Sequence, residues 1–162
     1  MNYKKILINT ISIFVISSII HFIYNIFPSF ITSIFTPVNE SIFEHLKLIF
    51  TSTLIYSIII KDKKYSNYYL RGIITNIILL IIYMPFRLIL GEILIVTLII
   101  LFISIFISEI LITKININTN KKTSILIIIL IYSIFTYLTY KPIKTFLFKD
   151  TTNNSYGIKN NC

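Results

Sequence analysis

The chain has 162 residues, of which 56% are hydrophobic and 13% charged, and a mean hydropathy of +0.85; soluble domains run about 45–50% apolar and about 25% charged. An ordinary soluble domain is thereby excluded, and the length accommodates some five apolar crossings of about 20 residues with nothing left for a soluble catalytic domain. The net charge of +9 follows the loops instead of forming a patch, which argues against a nucleic-acid partner, and the single cysteine, Cys162, excludes a disulfide or Cys-based metal site within one chain.

In chain order, Lys4 and Lys5 precede an apolar run over 6–24, the first expected span. Its length, with no small-x-small site after it, argues against a cleaved secretory signal. Residues 25–37 carry two prolines and no charge and read as a turn-rich connection. The second span covers 39–60 and ends at Lys61-Asp62-Lys63-Lys64, a solvated loop. Further spans follow over 71–90, 92–113 and 123–140. Pro142 helps stop the last helix, and 141–162 is a polar tail that docks or drapes along the surface. The expected fold is all-α: a membrane bundle of five transmembrane helices in a single domain.

Lysine and arginine concentrate in cytoplasmic loops of membrane proteins. Lys4, Lys5, Lys61, Lys63, Lys64, Arg71, Lys114, Lys121 and Lys122 fall on one side of a five-span chain. The other side receives Lys47, Arg87 and the tail lysines 141, 144, 149 and 159, so the tail dissents. Early spans usually dominate orientation, which sets the amino end in the cytoplasm and the carboxyl end outside.

The informative stretch is Pro37-Val38-Asn39-Glu40-Ser41-Ile42-Phe43-Glu44-His45-Leu46-Lys47. Much of it is explained by a helix start, with Asn39 as a cap and Ser41 and Glu44 as a capping box. That leaves His45 and Lys47 unexplained. From Leu48 to Ile60 there are only thirteen uncharged residues, about 20 Å of helix against a hydrocarbon core near 30 Å, so part of Glu44-His45-Lys47 is expected to dip into the membrane. At 100° per residue Glu40, Glu44, Lys47 and Thr51 share a stripe with Ser41, His45 and Ser52 beside it, a polar arc expected to face protein. Span one offers Thr10, Ser17, Ser18, His21 and Asn25 on one face, with His21 near the depth of His45.

The favoured reading of these groups is an interhelical hydrogen-bond and ion-pair network holding spans one and two together, with no cofactor. The alternative is a divalent metal such as zinc or manganese on His21, Glu40, Glu44 and His45, since imidazole nitrogen and carboxylate oxygen suit both ions. A proton or ion path is a third use, and histidines that sense pH between about 5 and 8 a fourth. A Ser41 or Ser52 nucleophile with His45 lacks an orienting third group and a nucleophile-elbow sequence. No phosphate-cradling glycine loop or dinucleotide fingerprint is present. Secondary candidates are Arg87 with Glu92, flanking the turn at Gly91, and Asp150. With Glu40 and Glu44 they place four of the six acids on the outer face. Glu109 reads as structural, with Arg71 or Asn76 to satisfy it.

Together, His21-Phe22-Ile23-Tyr24, the Pro37-to-Leu48 stretch, and the closing Leu147-Phe148-Lys149-Asp150 with Tyr156-Gly157-Ile158 resemble a family of small multi-pass membrane proteins of low-GC Gram-positive bacteria, one without an assigned activity. The specific part is PVNES-x-[WF]-EH-x-K. In the family's pattern the position of Phe43 is usually tryptophan, which implies an interfacial anchor there. The resemblance implies a bacterial cell membrane and supplies no mechanism. The functional expectation is a small scaffold or accessory component, not an enzyme, whose partners are the bilayer and a membrane protein or second copy of itself. A membrane-embedded metal-dependent enzyme or ion-handling protein is the alternative.

Overall fold

The computed structural model describes residues 3–91 and 93–158. It is all-helical: α1 (Tyr3–His21), α2 (Ile23–Ile26), α3 (Phe30–Phe35), α4 (Ile42–Ile59), α5 (Asn67–Leu90), α6 (Leu94–Lys114), α7 (Lys121–Tyr140) and a 3-10 turn at Phe146–Phe148. Among the described residues five helical stretches are long and apolar enough to cross a membrane: Tyr3–Ile26, Ile42–Ile59, Asn67–Arg87, Leu94–Lys114 and Lys121–Tyr140. Their alternating directions give the bundle a near end, with the start of α1 and the α4–α5 and α6–α7 loops, and a far end, with His21, the 27–41 segment and the tail.

Helices α1, α4, α5 and α6 form a closed ring of neighbours, α4 against α5, α5 against α6, and α1 against both α4 and α6. α7 lies outside the ring, against α3 and α5. Gly72 explains how closely α4 and α5 approach: a Cβ there would overlap the Phe50 ring and meet Thr53 Oγ1 at 2.9 Å. α4 is the most enclosed of the five long apolar helices. Its polar arc (Glu44, Lys47, Thr51, Ser52) is buried, but so are Ile42, Phe43, Ile49 and Phe50 on the opposite side. An arc facing protein on one side would describe a peripheral helix; neighbours surround this one.

The bundle's polarity is inverted relative to a soluble protein. Its interior holds Thr10, Ser17, Ser52, Ser57, Thr75, Ser104 and Ser108, while Ile19, Ile81, Ile95 and Leu126 stand more than 60% exposed. Small hydroxyl residues allow close helix packing and return their protons to carbonyls within their own helix, as Thr10 does to Ile6 and Ser104 to Ile100.

Boundaries differ from expectation where side chains compete for the backbone. α4 begins at Ile42, not residue 39, because Asn39 Oδ1 accepts from the Ser41 amide and Ser41 Oγ caps the helix by accepting from the Glu44 amide. The reciprocal half of the capping box does not form, since the Glu44 carboxylate is used elsewhere. The 25–37 connection contains α3, started by a capping box between Ser29 and Thr32. α5 starts at Asn67, so Arg71 is not a loop cation: it lies inside the helix, 5% exposed. Phe43 is no interfacial anchor but a core residue, stacked on Phe148 of the tail with ring centroids 4.5 Å apart.

Candidate functional site

The far-end site arises where α1 runs out and α4 begins. Because the Asn39 turn and Ser41 cap keep Glu40 off the helix, its carboxylate reaches back between two imidazoles. Glu40 Oε2 lies 3.4 Å from His21 Nε2 and 3.5 Å from His45 Nε2. The two rings are 5.4 Å apart, tilted by 47°. One ligand atom from each of the three residues falls within 4.8 Å of the others, and all three side chains are partly exposed.

Orientation within the site is unequal. His45 Nδ1 is 2.8 Å from the Ser41 carbonyl, which accepts only if Nδ1 carries the proton; in the neutral ring this leaves the lone pair on Nε2, toward the cluster. His21 Nδ1 is buried with no hydrogen-bond partner among the described residues. The His21 contact, opposed by burial and helped by the His45 charge, holds the Glu40 carboxyl below the usual glutamate range; nearby Asp150 pushes it upward. Thr151 donates to the Glu40 carbonyl at 3.2 Å, tying the tail to the same turn.

Glu44 stands outside this group. One turn deeper, its Oε2 is 2.5 Å from Lys47 Nζ and accepts from the Val38 amide, while Oε1 accepts from the Thr139 hydroxyl at 2.7 Å. Lys47 completes its three donors with the Ser33 carbonyl and Thr139 Oγ1. Every proton of the ammonium has an acceptor, and the Glu44 carboxylate is committed to Lys47, Val38 and Thr139. The four-ligand set that the sequence offers as the alternative thus divides: His21, Glu40 and His45 come together, and Glu44 belongs to a separate buried pair with Lys47.

A second network closes the near end. Arg71 Nε donates to Glu109 at 2.7 Å, and Nη1 to Asp62 at 2.6 Å and to Ser57. Asn9 takes the other Glu109 oxygen at 2.7 Å, so α1, α5 and α6 meet on one carboxylate. Asn76 donates to the Leu46 carbonyl instead of serving Glu109. Burial opposes ionisation of Asp62, but Arg71 with the Asn67 and Lys64 hydrogen bonds prevails and lowers its pKa.

Of the remaining candidates, Asn39 donates to the Gly157 carbonyl. Asp150 is buried and spends its oxygens on Thr152 and Asn153 in its own turn. Arg87 lies over the Tyr83 ring at 5.9 Å. Glu92 lies outside the described residues, and with it the expected Arg87–Glu92 pair.

No curated protein and no solved structure matches the chain. A family model, by contrast, covers residues 1–158, nearly the whole sequence and every residue of the site. The chain belongs to that family, the family of unknown function DUF6512.

Proposed function

We propose that the chain is a five-crossing cell-membrane protein, amino end cytoplasmic and carboxyl end outside, that binds a divalent metal, zinc first, on His21, Glu40 and His45. The observation that carries the reading is the spacing of these ligands. Tetrahedral zinc with bonds of about 2.0–2.1 Å sets its ligand atoms about 3.3–3.4 Å apart, and the two His–Glu separations are 3.4 and 3.5 Å. A charge-assisted hydrogen bond would draw the same atoms to about 2.7–2.9 Å. His45 also has the backbone support that metal-bound imidazoles use; His21 lacks it.

Two histidines and one glutamate leave a fourth position open, the pattern of catalytic zinc. The chemistry such a centre supports is activation of a water, or polarisation of a substrate carbonyl or phosphoryl oxygen, at the exposed rim of the bundle. A scaffold or accessory role is favoured by a different observation, the closure of the Glu44 and Arg71 networks, which use their polar groups internally.

Elemental analysis of the purified protein separates the two. The metal reading expects on the order of one zinc per chain, lost in Glu40→Gln while the helical content stays near the wild type. Well-folded wild-type protein that carries no metal, and takes up none when zinc is supplied, overturns it and leaves the scaffold.

A further inference from the structure

A second site lies beside the first. Met84 and Arg87 of α5 and Phe146, Lys149, Asp150, Thr151 and Asn154 of the tail enclose a cleft of about 390 Å³ at the far end, within the range of small-molecule pockets. Two of its walls are cationic. Its one carboxylate, Asp150, is already occupied by hydrogen bonds from Thr152 and Asn153. The Arg87 guanidinium is the unusual member: its Nη1 is buried with no hydrogen-bond partner among the described residues. A basic residue in the last turn of a helix suits the macrodipole, but that explains the charge and not the orphaned donor. Leaving such a donor unmet is costly, more so for a charged group.

We infer that this cleft binds a phosphate group, with Arg87 and Lys149 as its cationic partners. A guanidinium offers the paired donors that phosphate oxygens accept. Met84 and Phe146 supply an apolar wall beside the charged one, and Phe146 is 52% exposed. An anionic head with an apolar continuation describes a phospholipid headgroup better than free phosphate. The tail turn unites the two sites, since Thr151 both lines the cleft and donates to the Glu40 carbonyl. The inference does not rest on a metal being bound.

The test uses delipidated full-length protein in detergent, followed by native mass spectrometry and thermal unfolding. The probes are phosphatidylglycerol, inorganic phosphate, and diacylglycerol as the phosphate-free control. Phosphatidylglycerol is expected to bind and raise the wild-type melting point, and diacylglycerol to do neither. Binding is expected to weaken about 10- to 100-fold in Arg87→Gln, the loss of one charged hydrogen bond, and to weaken in Lys149→Gln, whose site lies outside the crossings. If inorganic phosphate reproduces the full effect, the site stands and its ligand is a soluble phosphate. Equal binding of diacylglycerol, equal binding by both variants, or binding of neither phosphate compound overturns the site.

Discussion

Lys47 shows how a single residue decides between structure and transport. Its ammonium is 0% exposed, buried toward the far end of the bundle, where an unpaired charge is expensive. Glu44, the Ser33 carbonyl and Thr139 satisfy all three of its donors, so it has the partners of a structural cation, not of a carrier that exchanges them. Lys47→Met is expected to destabilise the protein by about 3–5 kcal/mol, because it strands the Glu44 charge. The double variant Lys47→Met/Glu44→Gln is expected to recover most of that loss, measured by denaturant unfolding in detergent. A double variant as unstable as the single one would mean that the ammonium matters for something other than neutralising Glu44. Helical spacing places Glu44 and Lys47 together, and the sequence reading finds both. The same spacing misplaces Glu40: counted as a helical residue it joins Glu44 on a stripe, whereas the Asn39 turn frees it to bridge the histidines. Thr139 was missed because its partners are 92 and 95 residues away, a distance over which periodicity carries no information.

At the scale of elements, the five long apolar helices were legible because each is a long apolar run bounded by charge or proline, and bilayer thickness fixes how long a run must be to cross one. α3 was not, since six residues are too few for a periodic signal and its start depends on a Ser29–Thr32 side-chain exchange. Docking of the tail was half visible. The patch at Phe148 is too short to cross anything, and only the packed structure gives it Phe43 to stack against. The α4–α5 loop carries a testable consequence, because Asp62 joins it to α5 through Arg71. A carboxyl whose folded pKa lies below its unfolded value contributes stability that is complete above the unfolded pKa, about 3.9, and is lost as the pH falls through the folded one. Asp62→Asn is therefore expected to lower the melting point at pH 7, and the gap from the wild type to narrow as the pH drops below about 4. A gap that stays constant from pH 7 to pH 3 would show that the Asp62 charge is not what Arg71 uses.

For the whole molecule, the distribution of charge and apolar surface poses one question, which end faces the cytoplasm. The belt of exposed isoleucine and leucine needs an apolar surrounding of bilayer thickness but has no direction of its own. Direction comes from the lysines. The near end gathers Lys4, Lys5, Lys61, Lys63, Lys64, Lys114, Lys121 and Lys122 around its loops. The tail lysines that oppose them follow the last long helix, and early loops usually dominate orientation. Several far-end cations are also engaged: Lys47 with Glu44, Lys141 over the Tyr137 ring at 5.8 Å, and Arg87 over Tyr83. Moving Arg71 from loop to core removes one charge from the near-end count without reversing it. With Cys162 replaced by serine, Lys144→Cys is expected to react with an impermeant maleimide added to intact cells, and Lys63→Cys only after the cells are opened. The reverse pattern would turn the bundle over, set the His21-Glu40-His45 rim and the phosphate cleft toward the cytoplasm, and change which pools of metal and lipid headgroup can reach them.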